Sequence, residues 1–224
     1  MSDRSLKRLL DVSIAGVALM GAVPLLAMAS VAIKLESRGP VLFAHTRVGR
    51  GKRPIQTLKL RTMRPNAEHL GPAITAAGDP RITRVGRLLR KTKLDELPQL
   101  WNVLRGDMSL VGPRPEVARY VEIYPSHADA LFEVRPGLTD LASVTFRDEE
   151  TLLARANDRE RAYREVILPM KLALSLEGLE RTSVSYDLAM LVRTVLAIVA
   201  GPSPREQSLL EEAVRRIDTL ERPT

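Results

Sequence analysis

From Val12 to Ile33 the chain runs through 22 residues without a charged side chain, closed at its ends by Asp11 and Lys34. As a helix this run would be about 33 Å long, close to the ~30 Å hydrocarbon core of a bilayer, so the segment is expected in a membrane. Three arrangements are open. One is a cleaved leader, since Arg4, Lys7 and Arg8 precede the run and Ala27-Met28-Ala29 has the small-residue form of a cleavage site. A single span kinked at Pro24 is the second, and a re-entrant helix-break-helix hairpin that enters and leaves by one face is the third. Basic residues flank both ends: Arg4, Lys7 and Arg8 before, and Lys34, Arg38, Arg47, Arg50, Lys52 and Arg53 after. Such residues favour the cytoplasmic side, and a straight span cannot satisfy both flanks. Pro24 offers no N–H to the carbonyl of Met20 and favours a bend, leaving two halves of roughly 16 Å, long enough to reach mid-bilayer and return.

Length and composition set outer limits. The 224 residues suit one main domain, and 45% hydrophobic side chains are enough for a core. Lys and Arg outnumber Asp and Glu by 34 to 27, giving a net charge of +7 and a pI near 10.0. That balance points to acidic partners: nucleic acid, anionic lipid headgroups or phosphorylated substrates. The absence of cysteine excludes disulfides and thiolate metal sites.

Chemistry concentrates between Lys93 and Pro115, KLDELPQLWNVLRGDMSLVGPRP. Leu97, Leu100, Trp101 and Leu104 follow at helical spacing and predict one apolar face, with Asp95 and Glu96 at the first turn. The positive end of the helix dipole would then favour the ionised acids and a bound phosphate alike. For Asp95 alone, a helix N-cap is the ordinary reading. A cap does not call for a second acid, nor for the loop Gly106 to Pro115, which is stiffened by prolines and exposes Arg114 in a form suited to bidentate phosphate contact.

Elsewhere the pattern predicts a β-hairpin, Val41 to His45 and Ile55 to Arg61, around the turn-rich Gly49 to Pro54. Thr57, Lys59 and Arg61 share one strand face, which is either a phosphate-binding surface or simply solvated. Asn66 to Pro80 reads as a loop, a lid or substrate-entry segment, and a basic amphipathic helix at Arg81 to Arg90 suits a membrane surface, with Arg90 able to turn toward the acids. Val134 to Thr139 is a Pro-Gly turn bearing Arg135. Helices are expected at Glu149 to Leu168, Met170 to Glu180 and Val184 to Val199, the last core or interfacial, followed by a charged helical tail from Arg205 to Leu220 that serves as a contact or solvated appendage. His45, His69 and His127 are scattered and fit surface or loop roles.

Taken in order, the stretches Lys7-Arg8-Leu9-Leu10-Asp11, the proline-broken apolar run, Lys59-Leu60-Arg61-Thr62-Met63, Leu94 to Leu100, Gly106 to Pro115 and Arg135 to Thr139 form a specific series. From Lys7 to about Val199 the chain resembles the bacterial sugar transferases, small monotopic phosphoglycosyl transferases that begin glycan assembly on a polyprenol carrier. The resemblance implies a re-entrant membrane helix, a cytoplasmic catalytic region at the inner membrane, and transfer of a phosphosugar from a UDP-sugar to undecaprenyl phosphate with release of UMP. Such a reaction would initiate exopolysaccharide, capsule, O-antigen or glycoprotein glycan assembly. By carry-over Asp95 is the nucleophile on the sugar-linked phosphate, through a covalent intermediate, and Glu96 a base or, with Asp95, a Mg²⁺ ligand. A carboxylate approaching a diphosphate is repelled, so the metal and arginines such as Arg90 and Arg114 are needed to neutralise the oxygens. Lys59, Arg61 and Arg135 are further candidates for phosphate or nucleotide contact. The segment Asp140 to Glu150 departs from the common family pattern in being acidic and lengthened; only Arg147 within it is a site candidate.

The expected fold is therefore α+β and mainly helical: residues 1–38 a re-entrant membrane helix with basic flanks, 39–200 a compact cytoplasmic catalytic domain with a short β-hairpin and interfacial amphipathic helices, and 201–224 a charged helical tail. Expected partners are a UDP-sugar donor, undecaprenyl phosphate, anionic membrane lipids and a second copy in a homodimer, with nucleic acid disfavoured. Two other classes compete: a membrane-anchored basic protein that binds without catalysis, and a scaffold for a glycan-assembly complex.

Overall fold

The computed structural model describes residues 3–67 and 74–221. His69, Gly71 and Pro72, and with them the middle of the expected lid, lie outside the described residues. The architecture is mainly helical with two small sheets. Helix α1 (Asp3–Glu36) leads into strands β1 (Leu42–Val48) and β2 (Pro54–Leu60), then α2 (Arg84–Thr92), α3 (Gln99–Arg105) and β3 (Ser109–Val111). The short α4 (Ala118–Val121) precedes β4 (Gly137–Thr139), α5 (Leu141–Thr145), α6 (Glu149–Leu153) and α7 (Arg159–Ala162). Three longer helices close the chain: α8 (Leu168–Glu180), α9 (Val184–Ala200) and α10 (Pro204–Leu220).

Among the described residues α1 is the one helix that by itself is long and apolar enough to cross a membrane. It continues through Pro24 where a break was expected, since a proline removes one hydrogen bond and helix propagates on either side of the gap. Both of its ends are bound to the same body. Near the N-terminus, Arg8 donates to the carbonyls of Val103 (2.7 Å) and Leu104 (3.0 Å) in the last turn of α3, adding to the Gly106 amide that already meets Val103. Asp11 accepts from the Leu110 amide (3.0 Å) and the Ser109 hydroxyl (2.8 Å) of β3, and Lys7 pairs with Asp187 of α9. At the far end Glu36 accepts from the amides of Arg84 (2.6 Å) and Val85 (2.8 Å), capping α2 from outside, and Arg61 donates to the carbonyls of Ser37 and Arg38, each at 2.8 Å. Between these anchors Val17, Met20, Val23, Met28 and Val31 are exposed.

The hairpin is antiparallel with Leu42 opposite Leu60 and Val48 opposite Pro54, longer on its first strand than the apolar run alone indicated. Fully buried Asn102 extends β2's outer edge: its Oδ1 accepts from the Leu58 amide (3.0 Å) and its Nδ2 donates to the Gln56 carbonyl (2.7 Å), fixing α3 beside the strand. The second sheet, β3 parallel to β4, was not anticipated. It rests on a glycine pair, because a Cβ on Gly137 would lie 2.2 Å from the backbone N and O of Gly112.

The main core gathers Phe146, Tyr163, Ile167, Leu168 and Leu172 around α8. Ala213 and Ile217 of α10 are buried within it, so the C-terminal helix is part of the packed body and not a solvated appendage. The expected helix from Glu149 to Leu168 is broken into α6, α7 and one π turn, Tyr163–Ile167, because Ala156, Asn157 and Asp158 interrupt it and Asp158 begins α7 as an N-cap. A second cluster joins Ala15 of α1, Leu100 and Val103 of α3, and Met190 and Ala197 of α9. The outer side of α9 exposes Leu188, Val192, Val195, Leu196 and Val199. Helix α2 starts three residues later than expected, since Thr83 is its N-cap and Arg81 is held by Asp79 at 2.7 Å.

Candidate active site

The acidic pair owes its position to a chain reversal. Helix α2 ends at Thr92, and Lys93 adopts a left-handed conformation (φ 57°, ψ 15°) that a non-glycine residue enters at a cost of about 1 kcal/mol. A single 3-10 turn, Leu94–Glu96, carries the two acids, and α3 begins only at Gln99 with Pro98 at its N-cap. Asp95 is therefore not a helix cap, and the stabilisation expected from α3's dipole does not set its charge. Instead Asp95 is 6% exposed, and its Oδ1 is buried with no hydrogen-bond partner. Burial pushes the carboxyl above the ordinary range, and the nearby Lys59 opposes that rise. Trp101 also departs from expectation: it is 50% exposed, while Leu100 and Val103 form the buried face of α3.

Glu96 is the hub of the cations. Its Oε1 accepts from Lys59 Nζ at 2.9 Å and pairs with the Arg114 guanidinium, whose Nη1 also donates to the Leu138 carbonyl at 3.3 Å. Burial alone would raise the Glu96 carboxyl, but Arg114 and Lys59 hold it well below the usual range. Burial lowers Lys59 against the pull of Glu96, whereas Arg114, also desolvated, is raised by Glu96. His45, far from being a loop residue, sits on β1 in the same cleft; burial and then Arg47 and Lys59 lower it to about 4, and Arg47 Nε approaches its Nδ1 at 3.3 Å.

A cleft of about 1650 Å³ includes Lys59, Arg61, Arg90, Asp95, Glu96 and Arg114 in its lining. These six side chains do not share one role, however: Lys59 and Arg114 meet at Glu96, whereas Arg90 and Arg61 are held elsewhere. Arg90 donates through Nε to the Thr62 hydroxyl (2.9 Å) and pairs through Nη1 with Glu150. Arg61 lines the cleft, but both of its Nη groups are bound at the end of α1, and its buried Nε has no partner. Arg135 is not among the lining side chains; its Nε donates to the Gly106 carbonyl at 2.9 Å, closing the loop after α3. Arg147 does line the cleft, with a buried Nη1 that has no partner and a backbone carbonyl that accepts from Lys93 at 2.6 Å. Sequence reasoning missed Thr62 and Glu150 as the partners of Arg90; the acidic run Asp148 to Glu150 was the available signal, but its target depends on tertiary packing. Pro24 lies in α1, away from these groups in sequence and in the lining.

Among the described residues no group of three or more His, Cys, Asp or Glu is placed to hold a metal ion. The site offers two adjacent carboxylates, one with an unpartnered oxygen, within a ring of cations. Such an arrangement can bind an anion, bring it against a desolvated carboxylate and stabilise charge moving between phosphoryl oxygens.

Comparison with known proteins places this geometry in a family. The sequence profile described as bacterial sugar transferase matches residues 2–201. A UDP-glucose:undecaprenyl-phosphate glucose-1-phosphate transferase of Caulobacter vibrioides is 43% identical over 199 residues, 86% of this chain and 69% of that protein. An enzyme of the same name from Escherichia coli is 35% identical over 197 residues, 86% of this chain and 40% of its own length. A UDP-N-acetylgalactosamine-undecaprenyl-phosphate N-acetylgalactosaminephosphotransferase of Aeromonas hydrophila is 44% identical over 142 residues, 62% of this chain and 34% of that protein. The chain thus spans between about a third and about two thirds of these relatives. With a profile match over most of its length, the chain belongs to the bacterial sugar transferase family.

Proposed function

We propose that this protein transfers a phosphosugar from a UDP-sugar to undecaprenyl phosphate, releasing UMP, as the first step of a bacterial surface or secreted glycan. The observation that carries the reading is the buried, unpartnered Oδ1 of Asp95 beside Glu96, which Lys59 and Arg114 hold ionised. In the first half-reaction an Asp95 oxygen forms a bond to the β-phosphorus of the donor. The bond from that phosphorus to the bridging oxygen breaks, and UMP leaves with the electron pair. In the second, a phosphate oxygen of undecaprenyl phosphate attacks the same phosphorus and Asp95 departs as a carboxylate. Arg114, Arg90 and Lys59 offset the charge on the phosphoryl oxygens, and Arg147 is placed to add a further cation. Relatives named for both glucose and N-acetylgalactosamine transfer leave the sugar to experiment. The test is a UMP-release screen over a panel of UDP-sugars with undecaprenyl phosphate; absence of UMP with every donor overturns the assignment.

The carboxylates also fit Mg²⁺, which is commonly held by one or two carboxylates together with substrate phosphates. Asp95 and Glu96 would hold it, and the ion would supply Lewis-acid neutralisation of the diphosphate. For the membrane we propose a monotopic protein at the cytoplasmic face of the inner membrane. Support comes from α1, whose two ends are bound to one body by Arg8 and Asp11 at one side and Glu36 and Arg61 at the other. A straight crossing would carry those anchors to opposite sides of the bilayer, whereas here they hold both ends of α1 to one body. The exposed apolar stripe of α9, and Leu88 among Arg84, Arg87 and Lys91 on α2, suit contact with the headgroup region and its anionic lipids.

A further inference from the structure

Three acids follow one another at Asp148, Glu149 and Glu150, and each meets a different cation of the cleft wall. Asp148 lies 2.9 Å from Arg147 Nε, Glu149 lies 2.8 Å from Lys171 Nζ, and Glu150 pairs with Arg90. Neither of the first two acids pairs with Arg114, Lys59 or Arg90, although Glu149 adds to the field at Arg114. Glu150 is different, because Arg90 is one of the guanidiniums that the proposed chemistry needs for a phosphoryl oxygen.

The contact is built for exchange. Arg90 is anchored along one edge by the Thr62 hydroxyl, at 2.9 Å from Nε, so the guanidinium stays in place when the partner at Nη1 changes. Glu150 is fixed through its backbone, its carbonyl accepting from the Ala77 amide (3.0 Å) and the Ala154 amide (3.1 Å), while its side chain remains 36% exposed. The carboxylate can thus rotate away into solvent without disturbing α6 or the loop at Ala77. A carboxylate and a phosphate compete for the same guanidinium geometry.

We infer that Glu150 is a built-in competitor for the donor's diphosphate: its carboxylate holds Arg90 where a phosphoryl oxygen belongs and is exchanged for that oxygen as the donor binds. The inference rests on the proposed transferase reading, and it makes Glu150 a determinant of donor affinity that acts through Arg90. It also selects for the ligand class, because a diphosphate brings enough charge to displace the carboxylate while still engaging Arg114 and Lys59, and a singly charged ester does not.

The test measures UDP binding by calorimetry and donor KM and kcat by UMP release for the full chain and for Glu150→Gln, Glu150→Ala and Glu149→Gln. Removal of the competitor should tighten UDP and lower donor KM by about two- to fivefold in both Glu150 variants, the range of one exchanged, partly exposed ion pair, with little change in kcat. Glu149→Gln, which makes the same charge change beside Lys171 and touches Arg114 only through its field, should shift both constants less than either Glu150 variant does. Equal tightening in Glu149→Gln would reduce the effect to general electrostatics and overturn the inference. Unchanged or weaker UDP binding in Glu150 variants that melt at the parental temperature would also overturn it. If the parent chain released no UMP from any donor, the transferase reading would fail, and the UDP calorimetry would still decide the exchange at Arg90.

Discussion

Glu96 and Arg114, 18 residues apart in sequence, are joined by an ion pair in which the carboxylate oxygen that meets the guanidinium also accepts from Lys59. Two cations therefore depend on one acid. Glu96→Gln should cost about 2–4 kcal/mol of stability at neutral pH, since it strands two partly buried cations. Because the Glu96 pKa is held down in the folded chain, the contribution is full above the ordinary Glu range and is lost as pH falls through the lowered value. Denaturant unfolding of the parent and variant should thus differ most near neutrality and converge in strong acid.

Asp95 carries the opposite sign. Its pKa is raised by burial, so the folded chain holds the proton more tightly than the unfolded chain, and stability falls as pH rises through the folded value. Asp95→Asn should abolish UMP release and any phosphosugar-enzyme adduct while raising the melting temperature. In the parent, turnover should decline on the acid side at a pH above the ordinary Asp range. Undiminished UMP release in the variant would remove Asp95 as the nucleophile.

Arg61 gives a way to separate a structural cation from a phosphate ligand. Its two bonds to the carbonyls after α1 predict that Arg61→Lys, which cannot reach both, loses about 1–2 kcal/mol with donor KM nearly unchanged. A rise in donor KM at constant melting temperature would assign Arg61 to the substrate instead.

Topology is open to labelling because the chain contains no cysteine of its own. Single cysteines at Ser2 and Arg50 should both react with an impermeant reagent from the cytoplasmic side only. Pro24→Ala, by restoring the missing amide, should shift part of the population toward a straight span with the two sites on opposite sides.

Truncation after Gly201 should do more than detach a partner. It removes Ala213 and Ile217 from the core and Glu206 from its pair with Arg193, so a loss of about 3 kcal/mol or more is expected, with faster proteolysis. A truncated chain with parental melting and turnover would return α10 to the role of a scaffold arm.

Much of the fold was legible because it depends on local periodicity. The apolar run from Val184 gave α9 almost to the residue, and the charged pattern after Gly201 gave α10. The β3 and β4 pair was not legible, since three-residue strands show no alternation and their contact depends on two glycines far apart in sequence. At the site, Asp95, Glu96, Arg114, Lys59 and Arg90 do converge on one cleft. Residue type showed which side chains could bind phosphate but not which were already committed. Arg61 and Arg135 are committed to backbone carbonyls left open by helix and loop ends, and those vacancies exist only once the chain has folded.

The closing turn of α1 also has a place in time. The carbonyl of Arg38 waits for a guanidinium 23 residues downstream, and the amides that Glu36 receives come 48 and 49 residues later. A ribosome that has just added the last residue of the helix has made none of the groups that close its far end. The helix is therefore complete before its own clasp exists, and its far end can close only after the chain has run on through Arg61 to Val85.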